Sequence, residues 1–456
     1  MTKQLATWAL ALAVSGCGAG PVRAQTPGVS VRTEGAGWLS GSPLQTQVLL
    51  GQDGETYVGV WIEVPDVRRT SARPPMAVSL VVDTSGSMAG PKIEHARLAA
   101  AGLLESLRDG DLVSVYGFNN AVTQYAPPTV VSSHTRASLM QRVQSLYANG
   151  GTFLYGGLHQ AVMRMGEAPA SHPLRRVFLI SDGRANVGPS DPGSLGQLAA
   201  SATEWGTQVT AIGVGTDYDQ STLSAMAVRS SGRLYHLGRP EAMAQILDRE
   251  LNLLASSAAV NAELEIRPAP GVVILSNHTT GASLDNGVVR LPLGALFGGQ
   301  RREILLRVRV PARRPGALPV VIAQLVYQEP DGERRREQET TIQVRVTRSP
   351  AAAARSEEPR VASMVANAQA TEAQLRAAQH LRDGRAQDAA RELAQAEQVL
   401  TRQAEAAPAS PSADALRGRA AQIAGQRRRA QTATSAAAAR EESYDVADQA
   451  FEAEGY

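Results

Sequence analysis

Apolar and polar residues alternate strictly over residues 260–267. Val260, Ala262, Leu264 and Ile266 point one way, and Asn261, Glu263, Glu265 and Arg267 the other. A period of two predicts a strand with one face on a core, and it recurs at Ile304, Leu306, Val308 and Val310. Pro330-Asp331-Gly332 separates the runs 320–327 and 340–346. Proline presets one turn torsion and glycine tolerates the next, so a hairpin is expected there. Residues 257–348 thus read as a β-sandwich. Shorter strand-like runs, such as 56–64, fill residues 26–75 between Gly51, Gly54, Pro65 and the Pro74-Pro75 pair. That stretch is too small to hold a core alone, so its strands are expected to join the later ones.

Between these zones the pattern changes. Continuous apolar runs at 77–82, 112–118, 176–180 and 208–214 alternate with helical stretches such as 93–107 and 136–146. Strands buried on both faces and separated by helices predict an α/β domain over residues 76–256, a doubly wound, mostly parallel sheet inserted into the sandwich. From Ser356 onward Ala, Gln, Arg and Glu dominate, a helical composition that marks a tail over 356–448. Within it, residues 373–400 resemble one tetratricopeptide repeat, with Ala377 in the first helix, Gly384 at the turn, and Ala389, Leu393 and Ala396 in the second. A generic helical hairpin fits equally well. Either needs the helix after Pro408 and Pro411 as a cap.

The chain has 456 residues, with 45 basic and 43 acidic side chains. A net charge of +2 gives no global attraction to polyanions, which argues against nucleic acid as a partner. Residues 1–25 read as an export signal: Lys3, an apolar run over 5–14, then Ser15 and Gly16 before Cys17, the single cysteine. Val14-Ser15-Gly16-Cys17 resembles the bacterial lipobox, which implies lipidation at Cys17. With Gly18 rather than Asp next, it also implies an outer-membrane lipoprotein of the cell envelope, facing the periplasm or the surface. Ordinary cleavage after Val22-Arg23-Ala24 is the alternative. No other stretch is long and apolar enough to span a bilayer, so membrane attachment is expected through a lipid anchor only.

The chemistry concentrates where the run 77–82 ends in Asp83-Thr84-Ser85-Gly86-Ser87. In an open α/β sheet ligands gather beyond the carboxyl ends of the strands. Alternate residues of a turn can converge, and oxygen-only donors suit a hard cation, Mg²⁺ above all, with Mn²⁺ or Ca²⁺ as substitutes. Each residue also has a plain reading: Asp83 could cap a helix, and the serines could make local turn bonds.

Asp83-x-Ser85-x-Ser87 resembles the metal-ion-dependent adhesion site of the von Willebrand factor type A fold. The resemblance implies two further ligands, a threonine from a later loop and an aspartate after a central strand. Thr152 in Asn149-Gly150-Gly151-Thr152 and Asp182 in Leu179-Ile180-Ser181-Asp182 stand at those places. The implied metal set is therefore Asp83, Ser85, Ser87, Thr152 and Asp182.

An enzymatic reading lacks its parts. None of the seven histidines forms an HExxH pair, and there is no GxSxG elbow and no phosphate loop. The sequence therefore predicts a non-enzymatic, metal-dependent binding protein of the bacterial envelope that captures an Asp or Glu carboxylate of a protein partner. The alternative is an envelope scaffold whose helical tail holds the partner while the metal is structural. Since all five ligands precede residue 254, the tail is expected to be dispensable for capture. The sequence carries no signal of oligomeric state.

Overall fold

Strands that are apolar on both faces have to be covered on both faces, and the computed structural model does this with helices. It describes residues 31–32, 37–51, 53–66, 73–215, 217–237, 242–330, 334–407, 411–433 and 435–453. The export-signal region with Cys17, the turn residues Asp331 and Gly332, and Pro408 lie outside the described residues. Among the described residues the strands form three sheets. The largest parallel one runs in the order Leu234–Leu237, Thr207–Val214, Leu174–Ser181, Met76–Asp83, Leu112–Phe118 and Val122–Val130. Only the last pair is antiparallel.

Met76–Asp83 is buried at every position. Its alternate side chains serve two cores. Met76, Val78, Leu80 and Val82 pack with Ile93, Leu103, Leu139 and Ile246 from helices on one side, whereas Ala77 and Val81 pack with Leu154, Leu158, Leu195 and Leu223 on the other. This doubly wound arrangement places the ends of the central strands at one rim of the domain.

The sandwich is built from both sides of the α/β insertion. Asp53–Glu63 pairs antiparallel with Arg301–Pro311 along its whole length. Leu39–Pro43 and Val273–Asn277 extend that sheet on either side. The facing sheet is centred on Ser257–Pro268, Val288–Phe297, Gly316–Gln328 and Arg335–Thr347, and Gln47–Leu49 joins its edge in parallel with Arg335–Thr347. Val58, Val60 and Ile62 from before the insertion share one core with Leu264, Ile266, Ile304 and Leu306 from after it.

The alternation read at 260–267 breaks at its first step. Asn261 has φ of +52°, and the register shifts between Val260 and Glu263. Such a bulge inserts a residue and turns the preceding side chain, and Asn tolerates the left-handed backbone better than most residues. Val260 therefore faces the α/β core, while Ala262, Leu264 and Ile266 face the sandwich core. The bulge hands the chain from one domain to the other.

The tail forms Pro359–Arg382, Ala386–Ala406, Pro411–Thr432 and Ala436–Ala453. Ala377, Ala389, Leu393 and Ala396 meet in a shared core, and Gly384 turns between the first two helices with φ of +74°. The last helix is an addition to the hairpin and cap expected from sequence. It places Val446 and Ala447 in that core, but its run Arg440, Glu441, Glu442, Asp445 and Asp448 masks the apolar stripe. The tail also leans on the sandwich. Val361 and Met364 pack with Leu305, and a Cβ at Gly59 would lie 2.7 Å from the Met364 sulfur, so a side chain there would have to displace the Met364 thioether. Arg360 covers the Trp61 ring at 4.1 Å and pairs with Glu63 at 3.0 Å. Among the described residues no helix is long and apolar enough to cross a membrane.

Candidate metal centre

The central strand ends at Asp83, whose carboxylate is fully buried. One carboxylate oxygen accepts the Ser85 backbone N–H at 2.9 Å, which bends the chain. The other accepts the Ser181 hydroxyl at 2.6 Å from the neighbouring strand. The bend brings the Ser85 and Ser87 hydroxyl oxygens to 3.1 Å from each other. Ser85 is buried and Ser87 is exposed. Gly90, with φ of +76°, then turns the chain into the helix Pro91–Ser106, which has proline in its first turn.

Thr152 is brought alongside by backbone bonds between two loops. Gly86 N–H donates to the Gly150 carbonyl at 2.9 Å, and Asn149 N–H to the Thr84 carbonyl at 2.8 Å. A side chain at Gly86 would press on that carbonyl at 3.2 Å. Three asparagine contacts hold the Thr152 loop in shape. Asn186 accepts the Thr152 N–H and Asn120 the Gly151 N–H, both at 2.7 Å, and the Asn119 side-chain amide donates to Asn149 at 2.6 Å.

Asp182 follows the strand Leu174–Ser181, and its carboxylate is also buried. Lys92 donates to it at 3.1 Å and also reaches Asp217 at 2.9 Å. Arg184 pairs with Asp217 at 2.9 Å. The Asp182 carbonyl accepts the Asp219 N–H at 2.8 Å.

The electrostatics follow from this packing. Burial pushes the Asp83 carboxyl up to about 6; the Asp182 charge adds to the rise, and the bonds from Ser181 and Ser85 oppose it. Burial would also raise Asp217, but Lys92 and Arg184 outweigh it and hold that carboxyl below its ordinary value. Asp83 is thus a buried anion whose hydrogen bonds do not offset its desolvation. Around it stand a second buried carboxylate and three hydroxyls, all oxygen donors, and this set fits a hard divalent cation. Among the described residues no group of three or more His, Cys, Asp or Glu could hold a metal. A cation bound here would therefore depend on hydroxyl oxygens.

Of the five residues named from sequence, Asp83 ends the central strand, Ser87 lies in the short 3-10 turn Gly86–Met88, and Ser85, Thr152 and Asp182 lie on loops, all at the carboxyl-end rim of the parallel sheet. Sequence reasoning missed Ser181, Asn120, Asn186 and Lys92. Lys92 carried a signal, since Lys3 is the only other lysine among 45 basic residues; the asparagines act through backbone contacts that no spacing reveals.

Residues 78–249 match the family model of the von Willebrand factor type A domain. This segment is a von Willebrand factor type A domain. The match covers the whole rim just described, from the central strand to the helix Ala242–Ala255. An uncharacterised protein of Synechocystis is 26% identical over 57% of this chain and 63% of its own length. The uncharacterised Escherichia coli protein YfbK is 25% identical over 44% of this chain and 36% of its own. The chain therefore spans less than two thirds of the length of either relative. A solved von Willebrand factor type A protein from Catenulispora acidiphila superposes with a TM-score of 0.68 at 19% identity, covering 86% of this chain and 89% of that one. The type A domain thus sits within a larger fold that the Catenulispora protein shares.

Proposed function

We propose that the protein is a metal-dependent binding protein that uses its type A domain to capture a carboxylate of a protein partner. The observation that carries this reading is the buried, under-compensated Asp83 carboxylate, set beside Ser85, Ser87, Thr152 and Asp182 at the rim of the sheet. Asp83, Ser85 and Ser87 would hold Mg²⁺ from one loop, and Thr152 and Asp182 from two others. When bound, the ion supplies a Lewis-acidic position that an acidic side chain can occupy. Ser87 is exposed, which leaves the oxygen cluster open to a partner. The two aspartates supply two negative charges at most, so a partner carboxylate meets an incompletely neutralised ion.

The reading is one of binding rather than catalysis. Type A domains commonly serve protein interaction, and this reading follows that use. Export to the bacterial envelope, with lipidation at Cys17, is part of the same proposal and rests on the N-terminal motif alone. Titration of the protein with Mg²⁺ by calorimetry tests the site. One-site binding that Asp83→Ala abolishes supports it, and equal binding by that variant sinks it. For the partner, capture from envelope extract should fail in EDTA. Capture that survives EDTA and Asp83→Ala but is lost on deleting the tail would favour the scaffold reading, in which the tail holds the partner.

A further inference from the structure

The tail grips the candidate metal centre from behind. Tyr444, on the helix Ala436–Ala453, is buried against the type A domain. Its ring stacks on Tyr218 with centroids 4.4 Å apart and on His236 at 5.4 Å. Its hydroxyl donates to the Tyr218 carbonyl at 3.1 Å. Nearby, Arg382 at the end of the first tail helix donates to the Gln220 side-chain carbonyl at 2.8 Å. Both contacts fall on residues 217–220, from their outer side.

The inner side of the same four residues faces the proposed ligands. Asp219 N–H holds the Asp182 carbonyl, and Asp217 shares the Lys92 ammonium with the Asp182 carboxylate. Lys92 thus stands between a proposed ligand and Asp217, the neighbour in sequence of Tyr218, on which Tyr444 stacks, while Arg184 also pairs with Asp217. With Asp217 in place the ammonium is divided between two anions. If Asp217 withdraws, Lys92 has only Asp182, and a full positive charge then opposes a divalent ion at that carboxylate. Loss of the Asp219 bond would also free the backbone that aims Asp182.

We infer that the helical tail sets the divalent-cation affinity of the type A domain, with Tyr444 and Arg382 as positioning residues that act through Asp217 and Asp219. This rests on the metal reading above. It revises the expectation that the tail is dispensable: the ligands all precede residue 254 in the chain, but the loop that orients one of them is packed under residues 382 and 444.

The test is Mg²⁺ calorimetry on the full chain and its variants, paired with thermal unfolding. Tyr444→Ala should weaken Mg²⁺ binding by about five- to twentyfold, in the range of ordinary site-to-site coupling. Tyr444→Phe keeps the stack and loses one hydrogen bond, so its change should be about twofold. Leu400→Ala, which hollows the tail's own core, should lower the unfolding temperature and leave Mg²⁺ affinity unchanged. If Tyr444→Ala unfolds the chain, Arg382→Ala, which removes a partly exposed contact, should still weaken binding severalfold. Unchanged affinity in Tyr444→Ala and Arg382→Ala overturns the inference, and so does an equal loss in Leu400→Ala, which would mark general loosening. Absence of Mg²⁺ binding by the unsubstituted chain instead refutes the metal reading, and this inference with it.

Discussion

The Ser181 hydroxyl donates to the Asp83 carboxylate at 2.6 Å across two neighbouring parallel strands. Both residues are buried, so this is an interior hydrogen bond to a group bearing charge. Ser181 has no place in the sequence motif, yet it steadies one oxygen of Asp83 while Ser85 N–H steadies the other. Ser181→Ala should destabilise the metal-free protein by about 1–3 kcal/mol, because the carboxylate is left with an unmet acceptor. Urea unfolding in EDTA checks this, and a change below a few tenths of a kcal/mol would show that the bond contributes little.

Asp83 itself should trade stability for binding. Its carboxyl is raised from 3.8 to about 6, so the charged form is disfavoured in the metal-free fold. The sign follows: stability from this group is fully present at low pH and is lost as pH rises through about 6. Asp83→Asn removes the charge at nearly constant shape. In EDTA at pH 7.5 it should be more stable than the unsubstituted chain, by an order of 1–3 kcal/mol, and Mg²⁺ should no longer raise its unfolding temperature. A destabilised Asp83→Asn that still responds to Mg²⁺ would contradict both parts.

A second buried charge cluster should behave in the opposite sense. Glu250 accepts hydroxyl bonds from Tyr235 at 2.6 Å and Thr210 at 3.1 Å, with Arg233 at 3.6 Å and Arg176 at 3.9 Å. Burial works to raise its carboxyl, but the two guanidiniums and two hydroxyls outweigh burial and hold it below 4.5. For a depressed carboxyl, the stabilisation is present above about pH 4.5 and is lost as pH falls through the folded value. Glu250→Gln leaves two cations without their anion and should cost about 3–5 kcal/mol at pH 7. The gap to the unsubstituted chain should narrow in acid, and unfolding curves from pH 3 to 7 that stay parallel would refute this.

The interlocked sandwich predicts how the chain behaves when cut. Asp53–Glu63 pairs with Arg301–Pro311 at eleven successive positions. Protease sites introduced after Asp66 and after Ser256 should therefore yield outer fragments that elute together from a sizing column. Their separation under native conditions would mean that the shared core does not hold them.

What the sequence determined by itself is what depends on neighbours along the chain. Period-two patterning marked Ile304 to Val310 as a half-buried strand, and continuous apolar runs marked the doubly covered sheet, because burial on one face or two acts on each residue separately. Three of the candidate oxygen donors could be named because Asp83, Ser85 and Ser87 lie on one turn. The tertiary structure decided what depends on residues far apart. Only the strand order sets Ser181 beside Asp83, and only loop pairing lets Asn120 and Asn186 hold the Thr152 backbone. A left-handed Asn261 moves Val260 into a different core from Ala262, which the alternation could not register because it assumes an unbroken strand. The last tail helix, whose apolar residues are mostly small alanines interrupted by charges, places Tyr444 on Tyr218, a contact 226 residues apart in the chain. Such contacts form because hydrophobic burial and hydrogen bonding act wherever surfaces meet, regardless of separation along the chain, so the link between tail and candidate metal centre belongs to the fold alone.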